Sequence, residues 1–372
     1  MISAADELKR HRFGGAMSDE TRTITLPEPE KTYRVVQWST GNIGLGSLRA
    51  VIQHPRLELV GLWVHSLEKV GRDAGELCGL SSVGVRATRD IDEIIALKPD
   101  CVLYMQQSFN LEDVCRLLAS GANIVTTRAE FHNPSKLDPA IRAPVEEACQ
   151  RGRSSIHSTG SSPGFITEAV LIALTSIQRR IDCVTIDEFG DMTSRNSPDL
   201  MFRVMGFGKQ PGTPLDHEQD LIHQSRLHSL ALIADAMSLS FDDVQVIEEV
   251  AVARNTVHIA AGTIEAGTVA ATRTTQQGLR NRLPFLRVRS NWYCTTDIDP
   301  AWDLRETGWR ILVEGDTPLD VSMTFPVPPE RYASVSPGYT AHRAVNAIPY
   351  VCAAPPGIRS TVTLPQIITL LG

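Results

Sequence analysis

An apolar strand, Tyr33-Arg34-Val35-Val36-Gln37-Trp38, runs straight into Ser39-Thr40-Gly41-Asn42-Ile43-Gly44 and then into a helix-like stretch that ends near His54. Few local patterns restrict a fold as tightly. Gly41 and Gly44 stand where the second and third glycines of G-x-G-x-x-G fall, so that backbone can approach a pyrophosphate whose charge is met by a helix N-terminus. Ser39 takes the place of the first glycine, and a turn of this kind taken alone also fits an ordinary strand-to-helix connection. The strand, turn, helix and second strand that follow one another here favour nucleotide binding. Ser39, Thr40, Gly41, Asn42, Ile43 and Gly44 are the residues expected to line the site.

The alternation continues beyond the turn. Strands are predicted at Arg34 to Trp38, Leu57 to Val64, Val83 to Thr88, Cys101 to Met105, Asn123 to Thr127 and Ser154 to His157. Helices are predicted between most of them, at Ile43 to His54, Ile91 to Leu97, Leu111 to Ser120 and Pro139 to Arg151. Short apolar strands separated by amphipathic segments imply a mostly parallel sheet covered on both faces, a doubly wound Rossmann-type α/β unit. Thr159-Gly160-Ser161-Ser162-Pro163-Gly164 breaks the pattern, and Phe165 to Ile181 reads as a buried helix. From Val244 to Phe325 the chain is rich in Val, Thr and Ile, with strand-like runs at Val257 to Ala261, Thr268 to Arg273, Leu286 to Tyr293 and Trp309 to Glu314. Sequential strands without intervening helices predict a second α+β unit built on an open mixed or antiparallel sheet. Such a sheet needs a cover, either the helices Phe165 to Ile181 and Asp216 to Met237 or a second subunit, so a homodimer is expected. The tail Ala341 to Cys352 is helix-like and is expected to return to the first unit. The organisation read from the sequence is therefore a loose extension over 1–30, a dinucleotide-binding domain over 31–158 completed by 341–372, and a substrate-binding and dimerisation domain over 159–340. Met17 is a possible second start.

Composition removes several classes of function. Lys plus Arg number 36 against 43 Asp plus Glu, a net charge of −7, and no basic stripe interleaved with aromatics is present, which disfavours nucleic acid as a partner. Seven cysteines are scattered without a C-x-x-C pair, as in a reducing compartment. No apolar run reaches the roughly 18 residues of a membrane span, and the first residues lack a signal peptide's apolar centre, so a cytoplasmic location is expected. His217, His223 and His228 are separated by six and five residues, spacing that does not align metal ligands on one helix face, and no metal is expected.

The choice of nicotinamide cofactor rests on the residues after the second strand. An acid is expected there to hold the adenosine ribose 2'-hydroxyl. The chain instead reads Val64-His65-Ser66-Leu67-Glu68-Lys69-Val70-Gly71-Arg72, with Ser66 in the acid's place and the cations Lys69 and Arg72 within reach of a 2'-phosphate. NADP is permitted and favoured, NAD remains open, and the same two cations also suit a plain surface loop.

Five segments together carry a family resemblance: Val35–Gly44 (V-V-Q-W-S-T-G-N-I-G), Leu59–Gly75 (L-V-G-L-W-V-H-S-x-x-K-V-G-R-D-A-G), Asn123–Phe131 (N-I-V-T-T-R-A-E-F), His157–Phe165 (H-S-T-G-S-S-P-G-F) and Ala344–Pro349 (A-V-N-A-I-P). They resemble the dihydrodipicolinate-reductase-like branch that includes 2,4-diaminopentanoate dehydrogenase and the native amine dehydrogenases, over roughly residues 33 to 358. The paired-histidine segment and Lys-x-x-x-Ser-Gly-Thr loop of true dihydrodipicolinate reductases are missing from the sequence, which sets lysine biosynthesis aside. The resemblance implies reductive amination of small ketones or aldehydes with ammonia, and it makes Glu130 the acid–base residue. A carboxylate beside the nicotinamide can hold ammonium, take its proton and stabilise an iminium cation. Burial of a carboxylate raises its pKa towards the working range. A strand over Asn123 to Thr127 puts Glu130 at the carboxyl edge of the sheet, where ligands of open parallel sheets bind. Without the resemblance, a capping glutamate or an ion pair with Arg128 describes the same residue.

Further positions follow more loosely. Met105, Gln106 and Gln107 after the fourth strand, together with Thr127, are expected near the nicotinamide ribose. Ser161 and Ser162 offer hydroxyls or backbone donors to the cofactor or simply cap a helix, and Asn346 resembles the family's residue near the carboxamide. Phe165, Phe202 and Trp292 are candidates for an apolar substrate wall, although aromatics in such a sheet also serve as core. An imine or ketone reductase that incorporates no ammonia, and an inactive NADP-binding sensor, are the competing readings. An acylating aldehyde dehydrogenase is disfavoured, because Thr159 to Gly164 contains no thiol.

Overall fold

The computed structural model describes residues 26–28, 30–213 and 218–371. Most of the extension predicted over 1–30, including Met17, lies outside the described residues, as do Asp216 and His217. Among the described residues no helix is long and apolar enough to cross a membrane.

Six strands, β1 (Tyr33–Trp38), β2 (Leu57–Trp63), β3 (Ala87–Thr88), β4 (Cys101–Tyr104), β5 (Asn123–Thr126) and β6 (Ser155–Ser158), join in one parallel sheet. β1 lies between β2 and β4, so the chain winds outward in both directions from it and leaves a crevice at the carboxyl ends of β1 and β4. All four residues of β4 and of β6 are buried, as strands covered on both faces require. On one face Val36, Val102, Ile124 and Ile156 pack with Val114 and Leu117 of the helix Leu111–Ala119 and with Val145 of the helix Pro139–Gly152. On the other, Val35, Leu103 and Val125 pack with Ala344, Val345 and Ile348 of the long helix Pro329–Ala353.

The second sheet contains β7 (Ile181–Asp191), β8 (Asp243–Ala253), β11 (Val269–Arg280), β12 (Leu283–Tyr293), β13 (Ile298–Asp299), β14 (Gly308–Gly315) and β15 (Leu319–Thr324), in the order β13-β8-β11-β12-β7-β14-β15. The short strands β9 (Val257–Ile259) and β10 (Gly262–Ile264) pair apart from it. The sheet is mixed: β7 and β12 run parallel, and the other pairs are antiparallel. Val184, Ile186, Leu286, Val288, Ile311 and Val313 bury against Ile166 and Leu171 and against Leu230 and Ile233 of the helix Glu218–Ala236. The last strand, β16 (Gly357–Arg359), returns to the first sheet and pairs with β6. His157 secures that join. Burial lowers its imidazole to about 4, and the neutral ring donates from Nδ1 to the Arg359 carbonyl at 2.8 Å.

Three predicted elements change. The strand expected over Val83 to Thr88 shrinks to Ala87–Thr88, because Val83 and Gly84 turn their N–H groups to the Asp73 carboxylate at 3.1 and 2.8 Å. The helix expected from Phe165 to Ile181 stops at Thr175. The polar Gln178-Arg179-Arg180 separates it from Ile181, which begins β7, where alternating Cys183, Thr185 and Asp187 face away from Val184 and Ile186. The tail helix begins at Pro329, a dozen residues before Ala341, and continues through Pro337 and Gly338.

Candidate active site

The turn at the end of β1 is shaped by backbone contacts. Ser39, at the first-glycine position, has φ +75, a left-handed conformation that glycine adopts without strain and serine does not. Buried Gln37 braces it: its Nε2 donates to the Ser39 carbonyl at 2.9 Å, and its Oε1 accepts from Ser47 Oγ at 2.8 Å. A Cβ on Gly44 would stand 2.3 Å from the Ser39 carbonyl oxygen, so helix and turn approach as closely as only glycine allows. A Cβ on Gly41 would meet nothing within 4 Å. The space beside Gly41 is therefore open, on the side where a pyrophosphate would lie.

The helix Asn42–Gln53 starts at Gly41 with no side chain capping it. Asn110 and Asp90 cap the helices Leu111–Ala119 and Ile91–Ala96 with their own side chains. The uncapped N–H groups after Gly41 remain available to an anion, as a dinucleotide cradle requires.

Ser39, Thr40, Gly41, His65, Ser66, Lys69, Met105, Gln106, Gln107 and Ser108 line one cleft of about 450 Å3 at this edge of the sheet. Nine of these ten residues are ones the sequence placed at the cofactor; Ser108 was not foreseen. Lys69 Nζ donates to Thr40 Oγ1 at 3.0 Å, bridging the loop after β2 to the glycine turn, while Ser66 Oγ donates to Glu68 Oε1 at 3.0 Å. Arg72 is exposed and outside the cleft lining. Gln106 Oε1 accepts from Trp38 Nε1 at 2.8 Å, and Thr127 Oγ1 donates to the Met105 sulfur at 3.7 Å, which ties the ends of β1, β4 and β5 together. Trp38 in turn stacks on Trp63 with ring centroids 4.3 Å apart beneath the cleft. Ser162 lies in non-helical backbone after β6, while its neighbour Ser161 shares a 2.8 Å hydrogen bond with Thr340 Oγ1 from the long helix. Asn346 is half-buried on that same helix, where its neighbours Val345 and Ala347 pack against the first sheet.

Glu130 sits on the short turn Ala129–Phe131 that follows β5. Its side chain is 34% exposed and is ion-paired with Arg128, the pairing that describes this residue without the family resemblance. Arg128 is folded over the Phe109 ring, 5.5 Å from its centroid, and donates to the carbonyls of Gln106, at 3.1 Å, and Gln107. One guanidinium thus connects Glu130 to the wall of the cofactor cleft.

The aromatic wall divides. Phe202 and Trp292 pack in one apolar cluster with Met201 and Tyr293, whereas Phe165 packs in another with its ring 5.6 Å from the Arg343 guanidinium. Two features of the site escaped the sequence reading. Arg128 was considered only as an ion-pair partner, and the buried contact between His132 and Glu168, with Nε2 and Oε1 2.6 Å apart, joins residues 36 positions apart. A glutamate inside the apolar run after Phe165 was the signal available for the second.

The parallel sheet covered on both faces, with an uncapped helix start at its glycine turn, is the architecture of the dinucleotide-binding α/β class. A model of the 2,4-diaminopentanoate dehydrogenase C-terminal domain matches residues 165–372, more than half of the chain, and the chain belongs to that family. It is 27% identical over 347 residues to an amine dehydrogenase of Streptomyces virginiae, covering 89% of this chain and 95% of that protein. The amine dehydrogenase of Mycobacterium smegmatis shares the fold with a TM-score of 0.70 at 20% identity, over 92% of this chain and 98% of that one. A probable dehydrogenase of Thermotoga maritima superposes with a TM-score of 0.53 at 13% identity, over 89% and 92% of the respective chains.

Proposed function

We propose that the protein is an NAD(P)H-dependent amine dehydrogenase that carries out the reversible reductive amination of small ketones or aldehydes with ammonia, with NADP preferred. The observation that carries this reading is the placement of Glu130 one guanidinium away from the cleft beside the glycine turn. In the cradle, the backbone of Gly41 to Gly44 would hold the pyrophosphate, Ser66 and Lys69 the substituted adenosine ribose, and Met105 and Gln106 the nicotinamide side.

The balanced reaction takes carbonyl, ammonia, reduced cofactor and one proton to amine, water and oxidised cofactor. A bound reduced nicotinamide supplies the hydride. Glu130 supplies the proton traffic: it accepts a proton from ammonium to free the nucleophile, returns one to the departing hydroxyl, and faces the iminium cation with its negative charge. Ammonium competes with Arg128 for this carboxylate, and the exposed part of the side chain gives it access. A second copy of the chain is the proposed cover for the second sheet, whose strand β8 leaves Val244 and Val246 exposed on one face.

Glu130→Gln tests the reading. The variant should bind NADPH as the parent does and lose amination by about a hundredfold or more, the scale of one general acid–base group. Turnover close to the parent's would remove Glu130 from the chemistry.

A further inference from the structure

We propose that the buried pair of His132 and Glu168 is a positioning device that fixes the turn bearing Glu130 against the second layer, an inference that rests on the reading of Glu130 above. His132 is 1% exposed and Glu168 0%. His132 stands two residues after Glu130 at the end of the turn Ala129–Phe131, so a shift of its ring is passed to Glu130 through two peptide units. Glu168 lies on the helical segment whose Ile166 and Leu171 are packed into the core of the second sheet. The contact therefore spans the two layers.

Glu168 also fastens the loop between them. Its Oε1 meets His132 Nε2 at 2.6 Å, while its Oε2 accepts from the Gly164 N–H at 2.5 Å and from the Thr167 hydroxyl. Burial alone would push the Glu168 carboxyl up, but the His132 imidazole beside it and the hydrogen bonds from His132 and Thr167 outweigh that effect and bring it below its ordinary value. Next to His132, Asn133 Nδ2 donates to the His228 carbonyl at 3.2 Å, and Phe131 is fully buried against Phe109. The turn is thus held at Phe131, His132 and Asn133, the three residues that follow the partly exposed Glu130.

A buried polar contact of this kind is poor material for stability alone, because well-packed apolar residues of similar size often serve as well or better. Its directional contacts suit the placement of a group whose position matters to a fraction of an ångström. That contrast provides the test. In the double variant His132→Phe/Glu168→Leu the cavity stays filled, and the expected result is unchanged NADPH affinity and an unchanged KM for the ketone with kcat lowered roughly tenfold or more. A double variant that binds NADPH normally and keeps kcat within about twofold of the parent would overturn the proposal. If that variant does not fold, Glu168→Gln keeps the shape but puts an NH2 donor in place of one of the two acceptor oxygens. It should lower kcat several-fold at unchanged NADPH affinity, and Glu168→Asp, which keeps the charge but shortens the reach, should not restore it; parental kcat in Glu168→Gln would overturn the proposal. Glu130→Gln measured alongside separates the two layers of inference. Parental turnover there removes the reading of Glu130 and the positioning role with it, whereas loss there combined with parental kcat in the pair variants removes the positioning role alone.

Discussion

The turn Ser39–Gly44 and the loop His65–Arg72 face each other across one cleft, yet they are built on different principles. The turn is made of backbone: a left-handed Ser39, a helix that Gly44 lets approach to contact, and a buried Gln37 that holds both. The loop is made of side chains at least partly exposed to solvent, with Lys69 reaching across to Thr40 and Ser66 turned towards Glu68. Backbone geometry of the first kind decides that a dinucleotide can be bound at all. Side chains of the second kind decide which dinucleotide it is, and they can change without disturbing the fold.

The strongest way to break this contrast is to add one methyl group on the turn. Gly44→Ala places a carbon 2.3 Å from the Ser39 carbonyl oxygen, so it should cost about 1–3 kcal/mol of stability and weaken NADPH binding as well. Gly41→Ala, whose Cβ meets no protein atom, should leave the melting temperature unchanged and still weaken NADPH binding by about tenfold or more. Thermal unfolding and a fluorescence titration of both variants would separate the effects. Parental affinity in Gly41→Ala would move the pyrophosphate away from the turn.

The loop should respond more gently. Lys69→Ala removes one partly exposed cation, and it should weaken NADPH binding by about fivefold while leaving NADH binding nearly untouched. An unchanged ratio of the two affinities would take Lys69 out of cofactor selection.

The same division explains what could be read from the sequence. Backbone-determined features leave a local trace: glycines at fixed offsets and short apolar strands with helices between them marked the parallel sheet and most of the cleft lining. Ser39 hid part of that trace, because its positive φ does the work of a glycine without the residue type that advertises it. Features determined by contact between distant residues leave none. The pairing of Glu168 with His132, and the packing of Arg128 over Phe109, depend on residues far apart in the chain that the fold brings together. The substrate side was the least legible. Phe165, Phe202 and Trp292 were alike as exposed-or-core aromatics in the sequence, and packing separated Phe165 from the other two. The second sheet was readable as a set of strands, but the boundary before β7, which Gln178-Arg179-Arg180 marks, was hidden by the apolar residues on either side of it.

The central claim is that ammonia is a substrate, and it is tested most directly by following NADPH absorbance with a panel of small ketones and aldehydes, each with and without ammonium. The account predicts oxidation of NADPH that requires ammonium and yields a primary amine containing the nitrogen supplied. Oxidation at the same rate without ammonium, with an alcohol as product, would contradict it.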